Sequence, residues 1–160
     1  MTTTVAKAIK QQRKFTSLEE EVHLALRLVT ARMVEPWERF LKTHADLSPN
    51  QYNVLRILRG SHPSRLPSGE IASRMLARDP DITRLIDRLL GRELVERVRS
   101  EEDRRVVEVG ITAKGLELVG SLDVHVTRMP KAMLGGLGRK NLLQLSTLLD
   151  QLLGTLGTFP

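Results

Sequence analysis

The chain has 160 residues, of which 41% are hydrophobic, 28% charged and 3% aromatic, with no cysteine and a formal charge of +6. That length suits one globular domain whose core is built from Leu, Val and Ile. The composition excludes disulfides, thiolate metal sites and thiol redox sensing, and no stretch approaches the roughly 18 apolar residues of a membrane span.

A basic balance favours polyanionic partners, but the charge is uneven. Residues 61–112 hold ten Arg, no Lys and ten acids, so the excess lies at the two ends. A nucleic-acid surface in the middle must come from the placement of arginines. The basic start, MTTTVAKAIKQQRKF, lacks the apolar run of a secretory signal, and a cytoplasmic protein is expected.

Residues 1–16 read as a flexible basic tail. Ser17 and Glu20 have capping-box spacing. They open a helix whose series Val22, Leu26, Val29, Met33, Trp37, Phe40 and Leu41 steps by three or four. Pro36 falls inside it and predicts a kink or a split. A second helix starts at Pro49, with Ser48 as cap and Gly60 as stop. After the loop SHPSRLP, Ser68 caps a short third helix that turns Ile71, Met75 and Leu76 inward.

The fourth helix, in ARDPDITRLIDRLLG, takes Asp79 as cap, Pro80 at its first position and Gly91 as stop. Ile82, Leu85, Ile86 and Leu89 form its apolar stripe, and Asp81, Thr83, Arg84, Asp87 and Arg88 occupy the remaining surface. The period then changes. LVERV and RRVVEVGI predict strands, joined by a hairpin loop at RSEED. Thr112 caps a fifth helix, interrupted near Pro130, and GGLG separates it from a last helix. That helix carries Leu142, Leu145, Leu149, Leu152, Leu153 and Leu156, more leucine than one surface stripe needs. Its polar face is not strongly basic, which favours a dimer interface over a membrane surface.

Two short helices, a brief turn and a hairpin describe a winged helix-turn-helix. The fold class expected is mainly α with a small β-hairpin wing. The winged region spans 47–112, and N- and C-terminal dimerisation helices span 17–46 and 113–160. The major groove admits one α-helix. The candidate DNA contacts are Ser68, Arg74, Asp81, Thr83, Arg84, Arg88, Arg99 and Arg104. Asp87 is expected to pair with an arginine instead. A narrow minor groove attracts Arg. Arg104 and Arg105 would point to opposite faces of a strand, one toward the groove and one toward Asp103.

The stretch from Ile82 to Leu118, ITRLIDRLL…ELVERVRSEEDRRVVEVGITAKGLEL, resembles the MarR-type transcriptional regulators. Asp103, Arg105, Ile111 and Thr112 meet that family's wing pattern of Asp-x-Arg, a short strand, an apolar residue and Thr. LSPNQYNVLRIL resembles its second helix, and the order of elements agrees over residues 17–155. The resemblance implies a homodimer with interlocking terminal helices. Its recognition helix enters the major groove of a near-palindromic duplex, and its wing the minor groove. It also implies, as in many members, a small and often phenolic effector bound between the dimerisation and DNA-binding parts. It assigns Arg105 to Asp103 and Arg104 to DNA. It sets Trp37, Phe40, His44 and Tyr52 around a ligand pocket, positions that ordinary core packing explains equally.

Two departures from the family stand out. Glu93 occupies a position usually held by Gly, where a left-handed backbone would cost Glu roughly 1 kcal/mol, so the helix is expected to close earlier. The recognition helix begins Arg78-Asp79-Pro80-Asp81 where many relatives have Ser, Thr or Lys. Asp81 can accept from cytosine N4 but repels phosphate.

No catalytic motif is present, and His23, His44, His62 and His125 lack metal-ligand spacing. The expectation is a repressor released by a small aromatic ligand, not an enzyme, with no cofactor and no metal. Two alternatives stay open. A ligand-independent architectural DNA-binding protein would show little sequence discrimination and a steep salt dependence. A winged-helix protein-interaction module would select no DNA sequence. Glu101 and Glu102 receive no role.

Overall fold

The computed structural model describes residues 4–77, 81–99 and 106–157. In chain order the elements are α1 (Thr4–Ala8), α2 (Leu18–Ala45), α3 (Pro49–Ser61), β1 (Leu66–Pro67), α4 (Ser68–Ser73), α5 (Ile82–Leu90), β2 (Val95–Arg99), β3 (Val107–Ile111), α6 (Ala113–Leu134), a 3-10 turn (Gly135–Leu137) and α7 (Gly138–Leu156). The mainly α winged helix-turn-helix is confirmed. Two compact units, Met1–Leu116 and Glu117–Pro160, meet inside α6.

In the first unit, the basic segment read as a tail carries α1, which packs on α2 with Ala6 buried. Ser17 caps α2, its Oγ accepting from Glu20 N at 3.2 Å. The reciprocal half of the expected capping box goes one residue further back. The Glu20 carboxylate accepts from Thr16 N and Thr16 Oγ1, both at 2.6 Å. Those bonds, the side-chain one first, lower the Glu20 pKa. Pro36 does not split α2. Pro36 and Arg32, whose carbonyl loses its i→i−4 donor, are both exposed, so water can satisfy that oxygen.

Ser48 and Gln51 form a reciprocal capping box at the start of α3. Gly60 does not stop this helix, which runs on to Ser61. Among the described glycines only Gly138 has a positive φ, so Gly60 lacks the left-handed geometry of a helix stop. Tyr52, Asn53, Val54, Leu55, Ile57 and Leu58 are all buried, and α3 packs against α2, α4, α5 and β3. Burying each such aliphatic side chain contributes about 1.5–3 kcal/mol, so α3 is the centre of the core.

Ser68 is the first helical residue of α4, not its cap. Pro67 stands at the cap position without a side-chain bond. Because α4 ends at Ser73, the inward periodicity predicted for Met75 and Leu76 fails. Met75 is half-buried and Leu76 is 86% exposed. The Leu76 N–H donates to buried Asn53 Oδ1 at 2.8 Å, which anchors the turn after α4.

The sheet is antiparallel with order β1-β3-β2, pairing Leu66 with Val109 and Val95 with Ile111. A third strand of two residues is too short to show a period of its own. Arg65 Nε and Nη2 donate to Glu96 Oε1 at 3.0 and 2.7 Å. The pair closes over Gly110, where an added Cβ would lie 3.1 Å from Arg65 Cγ.

The exit from α5 corrects the reading of Glu93. The regular helix does end at Leu90, yet Glu93 still adopts φ +59°. Glu93 N donates to Leu90 O at 2.9 Å and Leu94 N to Leu89 O at 3.1 Å, the bond pair of a Schellman closure. Leu94 and Leu89 are both buried, supplying its apolar contact. The closure needs a left-handed residue and Glu93 occupies that position. Glu93→Gly is therefore expected to raise unfolding stability by up to about 1 kcal/mol in chemical denaturation. An unchanged or lower midpoint would show that the Lys114–Glu93 pair, 2.9 Å, compensates the strain.

Thr112 caps α6 as predicted, its Oγ1 accepting from Gly115 N at 3.1 Å. That hydroxyl also donates to Glu93 O at 2.7 Å, and Thr112 N donates to Leu94 O at 3.2 Å. Pro130 lies within α6 and does not end it. In the second unit, α7 has no buried residue. Its exposed apolar residues include Leu143, Leu145, Leu148, Leu149, Leu153 and Leu156.

Candidate nucleic-acid interface

Helix α5 separates its faces as the sequence predicts. Leu85, Ile86 and Leu89 are buried, whereas Thr83, Arg84, Asp87 and Arg88 are exposed. Its cap is Asp81, whose Oδ1 accepts from Arg84 N at 3.2 Å. Asp79 and Pro80, the predicted cap and first residue, lie outside the described residues. The other Asp81 oxygen, Oδ2, faces Arg84 Nε at 3.1 Å. Arg84 projects a largely exposed guanidinium from the first turn.

Asp87 pairs with Arg97 at 2.6 Å, the arginine partner expected for it. Because Arg97 belongs to β2, this pair ties the recognition-type helix to the wing. Arg99 ends β2, exposed and opposite Val107. Asp103, Arg104 and Arg105 lie outside the described residues, as do Glu101 and Glu102.

The remaining candidates have mixed settings. Ser68 is half-buried at the start of α4. Arg74 binds Glu70 Oε1 through Nε at 2.8 Å and Ser61 Oγ through Nη1 at 3.2 Å, so it braces α4 against the end of α3. Arg88 lines an open cleft of about 460 Å³ with Glu38, Lys42 and Arg92.

Arg92 was not singled out by sequence. Its Nη1 donates to Asp46 O at 2.7 Å and its Nη2 to Ala45 O at 2.9 Å. A cation is thus set on the last carbonyls of α2, where the helix dipole favours it. Asp46 itself is left-handed, φ +48°, and pairs with Lys42. The hydrogen bond from Lys42, then the charges of Lys42 and Arg92, hold the Asp46 carboxyl below its usual range. Nothing in the local pattern around Arg92 marks it, because its partners are backbone atoms more than forty positions away.

The four residues proposed to surround a ligand come together. Trp37 and Phe40 stack at 5.7 Å, Trp37 meets Tyr52 edge-on at 5.2 Å, and Phe40 and His44 stack at 4.5 Å. His44 Nδ1 lies 3.0 Å from Phe40 O. Phe40 and Tyr52 are buried, Trp37 half-buried and His44 exposed, so the chain of rings runs from the α2–α3 contact to the surface.

Among the described residues no group of three or more His, Asp or Glu is placed to hold a metal ion. No described helix is long and apolar enough to cross a membrane.

The MarR family profile matches residues 47–107, from just before α3 to the first residue of β3. The HTH-type transcriptional regulator MhqR of Bacillus subtilis is 30% identical over 105 residues, covering 64% of this chain and 71% of that protein. A MarR transcription factor from Planctomyces limnophilus is 43% identical with a TM-score of 0.64, covering 86% of this chain and 99% of that one. The S. aureus MepR–DNA complex shares the fold, with a TM-score of 0.76 at 22% identity over 89% of this chain and 99% of that one. With the helix-turn-helix, the three-stranded wing and these relatives in agreement, the chain belongs to the MarR family of transcriptional regulators.

Proposed function

We propose that the protein works as a dimer, binds a near-palindromic operator in double-stranded DNA through α5, and represses transcription until a small aromatic molecule releases it. The observation that carries this reading is α5 itself. A buried apolar stripe fixes it in the core, its opposite face presents Thr83 and Arg84, and Asp87–Arg97 joins it to the wing. Thr83, Arg84 and Arg88 then face the major groove, and Arg99 faces the flanking backbone, with Arg104 assigned to DNA and Arg105 to Asp103. Ser68, half-buried at the start of α4, is assigned to a phosphate. The exposed leucines of α7, with Leu18, Val22 and Val29 of α2, supply apolar surface for a second copy.

The test is selection of bound duplexes from a random pool, followed by titration of the selected operator. Arg84→Ala is expected to weaken operator binding by about 1–3 kcal/mol with unchanged circular dichroism. Selection of no sequence, or wild-type affinity for both Arg84→Ala and Arg99→Ala, overturns the assignment.

The ring chain of Trp37, Phe40, Tyr52 and His44 supports an aromatic effector, since one more ring can stack at its exposed end. Trp37 is the sole tryptophan, so its fluorescence reports on that place alone. Hydroxybenzoates added to the operator complex are expected to change Trp37 emission and release DNA over the same concentration range. Release with no change at Trp37 would move the effector elsewhere, and no release by any aromatic acid would remove it.

A further inference from the structure

Asp81 carries a second role at the start of α5. Both carboxylate oxygens are engaged by the same residue: Oδ1 takes the Arg84 backbone N–H at 3.2 Å, and Oδ2 faces Arg84 Nε at 3.1 Å. The Arg84 side chain is 79% exposed and that of Asp81 44%. An ion pair so open to water adds little to stability. Its effect is on orientation.

A guanidinium offers donors along two kinds of edge. With Nε occupied by the carboxylate, the terminal Nη1–Nη2 edge is the one left to make two parallel bonds. In the major groove, guanine presents O6 and N7 as a matching pair of acceptors. A free arginine serves phosphates as readily as bases. One braced by a carboxylate is held off phosphate by the charge beside it and spends less rotamer entropy on a base.

We propose that Asp81 is a positioning residue that holds Arg84 end-on for one guanine in each half-site, so that it sets sequence selectivity without itself reading a base. This replaces the cytosine contact that the sequence suggested for Asp81, and it rests on α5 being the recognition helix. The same carboxylate fixes the helix start and the arginine rotamer, so the side chain cannot leave Arg84 without uncapping α5.

The experiment compares wild type, Asp81→Ser, Asp81→Asn and Arg84→Ala, each by selection from random duplexes and by titration of operators changed one base pair at a time. Serine keeps a cap acceptor but cannot reach Nε; asparagine keeps the cap and the length and loses the charge. Melting curves identify any variant that has lost its fold, and the other then carries the comparison. The expected result has three parts. Wild type requires a G·C pair at one position of each half-site. Arg84→Ala loses that requirement. Asp81→Ser and Asp81→Asn still bind, but discriminate guanine from the other bases about ten-fold less well, while binding random DNA more tightly at low salt. If both Asp81 variants keep the wild-type preference while Arg84→Ala loses it, Asp81 has no positioning role although α5 still reads DNA. If Arg84→Ala also keeps it, both readings are overturned.

Discussion

Gly115→Ala is expected to lower the melting temperature by roughly 6–12 °C, from a destabilisation of about 3 kcal/mol or more. Helix propensity alone predicts the opposite sign, because Ala in a helix interior is favoured over Gly by about 1 kcal/mol. Geometry decides against it. A Cβ at Gly115 would lie 2.2 Å from the Leu94 carbonyl oxygen and 2.7 Å from Ile111 Cγ1. The first obstacle is backbone, fixed by the bond from Thr112 N at 3.2 Å. Moving α6 aside would break that bond and the Thr112 Oγ1 bond to Glu93 O. A differential scan of the two proteins settles the sign, and a rise in melting temperature would show that the first turn of α6 can move away from β2.

The second large effect concerns the surface of α7. The wild-type protein is expected to run at twice the 18.0 kDa mass of one chain, and the double variant L149E/L153E at the single-chain mass. Both leucines are exposed, Leu153 at 69% and Leu149 at 37%, in a helix with nothing buried. Two carboxylates placed in a self-complementary apolar interface meet their own copies and lose hydration. Splitting the dimer turns a bivalent operator contact into a monovalent one, at a cost of roughly 10²–10⁴ in affinity. Light scattering and operator titration check both parts. A wild-type monomer removes the dimer, and a dimeric double variant moves its interface off α7.

The elements legible in the sequence were those whose signal is local. The caps at Ser17 and Ser48, the stripe of α5 and the Thr112 cap each occupy a few consecutive residues, and each stands where its spacing put it. The split expected as one outcome at Pro36 and the interruption expected near Pro130 are absent for a physical reason. Pro36 and Pro130 are both exposed, where water can take up the carbonyl that each leaves without a donor, so neither ends its helix. Glu93 misled in the opposite direction: a charged side chain argues against a left-handed turn, but the buried Leu89–Leu94 contact imposes one. At the candidate interface, Thr83, Arg84 and Asp87 could be read from the wheel of one helix. The braces around them could not. Arg97 reaches Asp87 and Arg65 reaches Glu96 across strand and loop, and Arg92 bonds to carbonyls, which no side-chain pattern reveals.

The bonds from Arg92 to Ala45 O and Asp46 O give α2 a mechanical meaning. They join the residue just past α5 to the end of a helix of 28 residues, about 42 Å long. As a pivot, the guanidinium would join a long arm to a short one. A rotation of about 5° at that pivot corresponds to roughly 3.5 Å of travel at Leu18. Read in reverse, a shift of a few ångströms at the far end of α2 reaches α5 as a small change of angle. On the proposed reading of α5 as the DNA-facing helix, half-site spacing on a duplex is sensitive to such changes, and this joint would convert a coarse movement into a fine adjustment.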